Sequence, residues 1–256
     1  MSNPTRDVGA VQSVDRAVTA LEHLARNGES GVSEIATVIG VHKSTASRLM
    51  SVLHARDLVE PAGERGRYRL GPGVLRLAGA MGSRLDVSTQ GATICAELAA
   101  QSGETVNLAV RQGEVVVNVH QSDGSGAISV DSWIGRPTPL HATSSGKVLL
   151  AHAPEDIRER AFAQLQPFTG ETVTDPVVLA GQLEQVRRAG YAMTVGELEI
   201  GLNAVAAPVF RSDGVVVAAL SVSAPAYRLP ASALPTLGHA VVAAALRVSE
   251  RMGWSG

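Results

Sequence analysis

The sequence predicts an α+β fold made of a winged helix-turn-helix, a linker helix and a C-terminal domain in which helices flank an antiparallel sheet. The chain has 256 residues, and at roughly 100–200 residues per domain this length suits two small domains. Apolar residues recur at helical spacing through the first 56 residues. Beyond residue 87, short strand-like segments joined by turns are interleaved with helical patterns, which favours hairpins packed against helices.

The composition excludes several classes of protein. Hydrophobic residues make up 45% and charged residues 18%, so an extended disordered chain is excluded. The net charge of −2 excludes a uniformly basic nucleic-acid coat protein. The single cysteine, Cys95, excludes an intramolecular disulfide and a zinc cluster built from cysteines. The first 30 residues show no signal-peptide pattern, and no run of about 18 uncharged apolar residues occurs, so a cytoplasmic protein is expected.

Three helices and a hairpin are predicted for the N-terminal third. Ser13 is expected to cap a helix ending near Asn27, and a turn follows at residues 28–31. Ser33 is expected to cap a short second helix, which Gly40 ends because glycine tolerates a positive φ. A third helix is predicted over residues 43–56, and residues 58–60 and 67–70 are predicted to form the two strands of the hairpin.

The predicted third helix has two distinct faces. Apolar residues at positions 46, 49, 50 and 53 face a core, whereas polar residues at 44, 47, 48 and 51 face outward. Short polar and cationic side chains at the start of such a helix let its backbone approach base edges in the DNA major groove. Arg48 is long enough to reach guanine, and two hairpin arginines would lie over the adjacent phosphates or minor groove. The predicted DNA-binding residues are His42, Lys43, Ser44, Thr45, Ser47, Arg48, Arg65 and Arg67.

A three-helix packing unit whose polar face is only solvated is the alternative for this segment. Residues 1–86 carry 11 Lys and Arg against 9 Asp and Glu, whereas residues 87–256 carry 11 against 15. The small basic excess implies few phosphate contacts per chain, so DNA affinity is expected to depend on dimerisation.

The middle of the chain is predicted to be a connector. Glycine and proline at 71–73 interrupt the chain, and a linker helix follows from Val74 to about Leu85. Its small residues suit pairing with the same helix of a second subunit, although an ordinary domain-spanning helix fits the pattern equally well. The predicted domains are therefore residues 1–71 for the winged helix-turn-helix, 72–86 for the linker helix and 87–256 for the C-terminal domain.

The C-terminal domain is predicted to hold one antiparallel sheet with helices around it. Strands are expected at residues 105–111, 114–120, 127–133, 202–209 and 214–223. Helices are expected at 87–102, from 143 to 150, from 155, at 176–189 and at 231–252. Pro137 and Pro139 are expected to end the extended stretch that follows the third strand.

Two segments of this domain form a candidate ligand site. The stretch His141 to Lys147 opens a helix, whose free N–H groups and positive dipole end favour an anion. Ser221 and Ser223 lie two apart on a strand, so both hydroxyls point to the same face. A small carboxylate would satisfy such hydroxyls. The alternative is that the residues at the helix start only cap it and that the two serines bond to the backbone.

Enzyme and metal motifs do not hold. The stretch Ser144 to Lys147 looks like the tail of a phosphate loop, but Val148 replaces the hydroxyl residue that would hold magnesium. His120 and His141 border the supposed pocket, yet a metal site there is disfavoured. Glu197 and Glu199 are better interpreted as solvated or salt-bridged loop acids than as a catalytic pair. We therefore predict no catalytic residues, no metal and no cofactor.

Three segments resemble a known family. They are Gly190-Tyr191-Ala192 followed by the residues 196–202 and 206–209, the residues 139–147, and the residues 219–223. Together these segments resemble the IclR (isocitrate lyase regulator) transcription factors, and the resemblance extends over about residues 10–252. It implies a one-component bacterial regulator, most often a repressor, with a GAF-like effector domain. Such proteins form homodimers or dimers of dimers, bind a palindromic operator on double-stranded DNA and respond to a small organic acid.

The same resemblance implies which residues contact the effector. Family members that bind small keto acids carry Asp near position 194 and Cys at position 204. Thr194 and Ala204 therefore favour a bulkier acid, including an aromatic one, over glyoxylate or pyruvate. Trp133 is expected either to stack on such a ring or to pack in the core. The predicted effector-binding residues are Ala127, Val130, Trp133, Ser144, Ser145, Thr194, Ala204, Ser221 and Ser223.

Two other functions stay open from the residues alone. The first is an enzyme of small-acid metabolism with an accessory helical domain, and turnover of organic acids would distinguish it. The second is a protein-interaction module with a degenerate winged helix, which would select no DNA from a random pool.

Overall fold

A computed structural model describes residues 12–63, 66–79, 83–125 and 132–256. The chain divides into two compact units, Met1–Gly82 and Ser83–Gly256. The described elements of the first unit are α1 (Gln12–Asn27), β1 (Glu29–Gly31), α2 (Val32–Val38), α3 (Lys43–Ala55), β2 (Val59–Pro61), β3 (Arg67–Leu70) and α4 (Gly73–Gly79).

Helices α2 and α3 form the predicted helix-turn-helix. Gly40 has φ +64° in the turn between them, and the Val41 N–H donates to the Ala36 carbonyl at 3.0 Å, so the positive φ predicted for this glycine is confirmed. Ala46, Met50 and Leu53 of α3 are buried in the core of this unit, while the polar face of the helix is exposed. The division of α3 into two faces is therefore confirmed.

Three local predictions for this unit are wrong. Ser13 lies inside α1 rather than before it. Ser33 lies inside α2, since that helix begins after Gly31, whose N–H donates to the Glu34 carboxylate at 2.9 Å. Residues 29–31 are not a turn but a strand that pairs antiparallel with β3. That pairing joins segments 38 residues apart, and a local turn pattern carries no information about so distant a partner.

The helix predicted to begin at Val87 begins four residues earlier. In the second unit α5 runs from Ser83 to Ser102, so the end of the predicted linker helix belongs to α5. The described residues from the start of the predicted linker helix form α4. Val87 is the first side chain of α5 described as buried in the core. The apolar pattern starting at Val87 therefore does not mark the start of the helix, which lies at Ser83.

The second unit contains a six-stranded antiparallel sheet in the order β6-β5-β4-β9-β8-β7. Its strands are β4 (Thr105–Gln112), β5 (Val115–Ser122), β6 (Pro137–Pro139), β7 (Ala192–Val195), β8 (Leu202–Phe210) and β9 (Val216–Pro225). Its helices are α5, α6 (Ser144–Ala151), α7 (Glu155–Phe162), α8 (Pro176–Ala189) and α9 (Leu234–Arg251), the last preceded by a short 3-10 turn at Ala231–Ala233.

The sheet separates two hydrophobic cores. Val205, Ala207 and Val209 of β8 point to one face, where α5 and α9 pack. Ala206 and its cross-strand neighbour on β7, Ala192, point to the other face, where α6 and α8 pack. Side chains alternate between the faces along a strand, and the alanines let α6 approach this part of the sheet closely.

Some C-terminal boundaries differ from the predictions. Strand β7 is not predicted at all, and the residues 137–139 do not end the extended stretch but form β6, which pairs with β5. Proline is tolerated there because β6 is an edge strand. Of the strand predicted at 127–133, the described residues Ser132 and Trp133 lie outside any strand, and residues 127–131 lie outside the described part of the chain.

One described helical segment, residues 231–251, is long and apolar enough to cross a membrane by length and composition alone. Leu234, Val241, Ala245 and Val248 of this segment are buried in the core against the sheet. A helix that packs one apolar face on a sheet passes the same test, so its composition is accounted for by the fold.

Cys95 supplies a test of this core. Its side chain is fully buried on α5, and burial raises the pKa of the thiol to about 12. We expect iodoacetamide to leave native Cys95 unmodified at pH 8 and to alkylate it in denaturant, because only the thiolate reacts. The unfolded thiol ionises near pH 9 while the folded one does not, so the free energy of unfolding should fall as the pH rises from about 9 towards 12. The expected slope is about 1.4 kcal/mol per pH unit.

The matched control is Cys95→Ala, which lacks the thiol. Urea denaturation at several pH values should show the extra slope in the wild type and not in Cys95→Ala. Rapid alkylation of the native protein would contradict the burial of this residue.

Candidate functional site

The first unit presents an exposed polar surface at the start of α3. The described residues predicted to contact DNA on this helix and before it are all exposed, namely His42, Lys43, Ser44, Thr45, Ser47 and Arg48. None of them forms an ion pair with another described residue. The two cations of this surface, Lys43 and Arg48, therefore keep their positive charge available to an outside partner.

The hairpin arginines differ from those on α3. Arg67 donates from Nε to the Glu29 carboxylate at 3.0 Å, and its side chain is 32% exposed. Glu29 thus neutralises part of the charge that the sequence assigns to the wing. Arg65, predicted at the hairpin tip, lies outside the described residues.

In the second unit a cavity opens between the start of α6 and the α6–α8 face of the sheet. Among the predicted effector residues that the structure describes, all line this one cavity. These residues are Trp133, Ser144, Ser145, Thr194, Ala204, Ser221 and Ser223. Ala127 and Val130 lie outside the described residues. The fold therefore brings the predicted residues together from four elements and one loop. Their role in binding stays a prediction.

The start of α6 is arranged to leave N–H groups available at the cavity. The Thr143 hydroxyl accepts from the Gly146 N–H at 3.0 Å and donates to the Pro139 carbonyl at 2.9 Å. Thr143 is thus the N-cap, which confirms the capping interpretation for this residue. The cap takes the Gly146 N–H, and no described residue outside α6 accepts from Ser144 or Ser145.

The opposite wall of the cavity comes from the sheet. Ser221 on β9 pairs with Asn107 on β4, and Ser223 pairs with Ala204 on β8, so these residues share one face. The hydroxyls of the two serines form no hydrogen bond with any described residue, in contrast to the backbone-bonded alternative. This wall of the cavity therefore carries hydroxyl groups that have no partner within the described part of the chain.

Sequence reasoning missed several residues of this cavity. Asn107 is 4% exposed and its Oδ1 atom is buried without a hydrogen-bond partner in the described structure. An asparagine inside the otherwise apolar run of residues 106–110 was the available signal. The other lining residues outside the predicted stretch are Val116, Asn118, Thr138, Leu198 and Leu202, while Ala142 and Thr143 belong to the predicted stretch 141–147. None of the described lining residues carries a charged side chain.

A buried ion pair lies one helical turn beyond the cavity. Lys147 of α6 donates from Nζ to both carboxylate oxygens of Glu197, at 2.5 and 2.6 Å. The side chains are 1% and 7% exposed. Burial lowers the pKa of the Lys147 ammonium, whereas the Glu197 carboxylate opposes that shift. Of the two expected alternatives, solvated or salt-bridged, Glu197 takes the salt-bridged one, while Glu199 is exposed.

Glu197 belongs to the hairpin loop of residues 196–201 between β7 and β8, called the signature loop below. The Thr169 hydroxyl donates to the Gly196 carbonyl at 2.7 Å, and the Thr172 hydroxyl donates to the Glu197 carbonyl at 2.6 Å. The signature loop is therefore held both through its backbone and through the Glu197 side chain.

The two histidines near the cavity have structural partners. His141 donates from Nε2 to the Gln166 carbonyl at 2.9 Å and packs beside Phe168. His120 bonds to the Ser122 hydroxyl at 3.1 Å, and burial lowers the pKa of its imidazole. Within the described ranges, no three His, Cys, Asp or Glu side chains are grouped as metal ligands would be.

Comparison with known families identifies the family of this chain. Residues 13–63 match the IclR helix-turn-helix domain, and residues 80–250 match the C-terminal domain of bacterial IclR transcriptional regulators. The chain belongs to the IclR family. The resemblance carried by the three sequence segments is thereby confirmed, and so is the function of a transcriptional regulator with a DNA-binding helix-turn-helix.

Relatives cover nearly the whole of this IclR-family chain. The HTH-type transcriptional repressor AllR of Salmonella paratyphi A is 33% identical over 255 residues, which is 98% of this chain and 93% of AllR. The crystal structure of the Thermotoga maritima IclR covers 96% of this chain and 100% of its own, at 28% identity and a TM-score of 0.78. An IclR homologue from Microbacterium hydrocarbonoxydans, complexed with 4-hydroxybenzoate, is 28% identical with a TM-score of 0.80 and covers 94% of this chain and 98% of its own.

These likenesses confirm the predicted α+β fold class, with a helix-turn-helix unit and a C-terminal domain built on an antiparallel sheet. Membership of the IclR family is supported by both parts of the chain, since each matches its own family domain.

Proposed function

We propose that this protein represses transcription by binding a palindromic operator through α3 and the β2–β3 wing, and that a small organic acid in the cavity of the second unit modulates that binding. The observation that carries the acid site is the convergence of two groups of donors in one cavity. These are the N–H groups of Ser144 and Ser145 at the start of α6 and the serine hydroxyls of α6 and β9, none of which has an acceptor or donor partner outside α6 among the described residues.

The exposed start of α3 supports the DNA part of the proposal. Short side chains at positions 44, 45 and 47 let the helix backbone approach base edges, while Lys43 and Arg48 reach phosphate and guanine. The AllR relative is named as a repressor. Because Glu29 holds Arg67, the described part of the wing contributes less free positive charge. A homodimer or a dimer of dimers in the cytoplasm would supply the number of phosphate contacts that operator affinity needs.

The chemistry of the cavity supports a small acid. A carboxylate is an acceptor of hydrogen bonds, and the helix N-terminus together with the hydroxyls supplies only neutral donors. Since no described lining residue is charged, the acid would be held without a counter-cation. The apolar part of the lining, with Trp133, Leu198 and Leu202, suits an acid with an apolar body, as the 4-hydroxybenzoate of the Microbacterium homologue has.

The acid would act by shifting the population between two arrangements of the DNA-binding units of an oligomer, called heads below. An acid shifts DNA affinity only if it binds one arrangement more tightly than the other. We propose that the linker region carries this preference to the spacing of the two DNA-binding heads, and that the protein performs no turnover of its ligand.

The test pairs DNA binding with acid response. DNA fragments are selected from a random pool with the wild-type chain, and binding is titrated with 4-hydroxybenzoate, benzoate, pyruvate and glyoxylate. At least one acid should change DNA affinity without being consumed. The double variant Ser221→Ala with Ser223→Ala should bind DNA normally and need at least tenfold more acid. Failure to select any DNA, turnover of an acid, or an unchanged response in the variant would contradict the proposal.

Arg48→Ala tests the recognition surface. If Arg48 contacts a base, its loss should cost about 1–3 kcal/mol of operator affinity and relax the base preference at one position. Fluorescence anisotropy with the selected operator and single-base variants measures both effects. Arg188→Ala, which removes an exposed arginine from α8 in the other unit, is the matched control and should leave affinity unchanged. Equal affinities of Arg48→Ala and the wild type would remove Arg48 from the interface.

A further inference from the structure

The Lys147–Glu197 ion pair is unusual because both of its side chains are buried. Every residue of α6, from Ser144 to Ala151, is buried, and Lys147 is the largest fully buried side chain described. Removing two charges from water is costly, and an apolar pair of similar volume is often as stable or more stable. Stability alone therefore does not explain an ion pair at this position.

The pair joins two walls of the proposed acid site. On α6, Lys147 lies nearly one turn after Ser144 and two residues after Ser145, and both serines line the cavity. On the signature loop, Glu197 immediately precedes Leu198, which lines the same cavity. The two hydrogen bonds from one ammonium to both carboxylate oxygens fix the distance between these walls.

The other contacts of the signature loop hold it in a different direction. Thr169 and Thr172 bind the backbone carbonyls of Gly196 and Glu197, and the Gly196 N–H donates to the Leu202 carbonyl at 2.9 Å. These bonds tie the loop to residues 169–172 and to its own hairpin. The Glu197 side chain ties it to α6, the helix whose N-terminus faces the ligand.

We propose that Lys147 and Glu197 are positioning residues, which set the signature loop against α6 and thereby keep the cavity in the shape that accepts the acid. This role rests on the proposed function for its ligand. The pair touches neither the ligand nor DNA. It acts through Leu198 and through the start of α6.

The test separates positioning from stability. In Lys147→Met or Glu197→Ala alone, one buried charge is left without its partner, so each single variant should melt at a lower temperature than the wild type. The double variant Lys147→Met with Glu197→Ala removes both charges and should melt above either single variant. If the pair positions the loop, hydrogen–deuterium exchange of the peptide spanning 196–202 should still be at least tenfold faster in the double variant. Exchange in β8 and β9 should be unchanged.

The second readout is the acid response. The acid is 4-hydroxybenzoate or the most effective acid in the panel. The concentration that produces half of the maximal change in DNA binding should rise at least tenfold in the double variant. Arg247→Met with Glu97→Gln removes an ion pair between α9 and α5 and should change neither loop exchange nor acid response.

Two results would overturn the positioning role. One is loop exchange in the double variant equal to that of the wild type. The other is an acid response that recovers together with the melting temperature, as a merely structural pair predicts. A wild-type chain that ignores every acid would contradict the proposed function instead, because loop exchange needs no ligand and still decides whether the pair holds the loop.

Discussion

Replacing Lys147 with methionine is expected to lower the free energy of unfolding by about 3–5 kcal/mol. The substitution leaves the Glu197 carboxylate without its only described cationic partner, in surroundings where its side chain is 7% exposed. A buried charge that loses its partner keeps its desolvation penalty and loses the attraction that offset it. The loss is therefore much larger than that for an exposed ion pair, which is worth about 0–1 kcal/mol.

Urea denaturation at pH 7 measures this effect. Lys43→Met is the matched control, since Lys43 is exposed at the start of α3, and a surface substitution of this kind should stay within about 0.5 kcal/mol of the wild type. A loss below about 1 kcal/mol for Lys147→Met would show that Glu197 finds another partner or reaches water.

Replacing Gly146 with alanine is expected to damage both the fold and the acid site. A Cβ atom at this position would lie 2.3 Å from the Leu140 carbonyl oxygen and 2.6 Å from the Thr143 hydroxyl. The nearest atom belongs to the backbone and cannot move away as a flexible side chain would. The start of α6 must therefore shift, at a cost of about 1–3 kcal/mol or more, and the N–H groups at the cavity shift with it. We expect loss of acid response together with a lower melting temperature.

Gly181→Ala provides the control for this prediction. Gly181 lies on α8, and a Cβ there would meet no atom within 4 Å. Alanine should stabilise the helix by roughly 0.5–1 kcal/mol and leave the acid response intact. The melting temperatures of the two variants should move in opposite directions, and only Gly146→Ala should lose the acid response in DNA titrations. A Gly146→Ala chain that melts and responds like the wild type would contradict the described packing around α6.

The N-terminal unit was predictable to the extent that its structure is local. Helix α3 repeats its apolar residues every three or four positions, so its buried and exposed faces follow from the spacing alone. Strand β1 was not predictable in this way, because it pairs with β3 across 38 residues. The consequence reaches the proposed interface, since that pairing brings Glu29 to Arg67 and neutralises part of the wing.

For the acid site, the sequence pointed to the helix start at 144–145 and to the two serines of β9. Family resemblance supplied Thr194 and Ala204, which have no local pattern of their own, and Trp133 was added as an aromatic residue expected near the pocket. Asn107 was missed because a single polar residue in a strand does not say which face it occupies until the register with Ser221 is known. Glu197 was expected to be a solvated or salt-bridged loop acid. The structure decides for the salt bridge, and its partner Lys147 was not foreseen.

By itself the sequence determined the helices with strong periodicity, the glycine in the turn between α2 and α3, and the family. These depend on neighbours within a few residues or on motifs that can be matched in order. Only the tertiary structure decided that β1, β6 and β7 are strands, that seven predicted residues line one cavity, and that Lys147 lies buried against Glu197. Each of these depends on atoms brought together from distant parts of the chain, and the free energy of burying a lysine cannot be judged until its partner, fifty residues away, is in place.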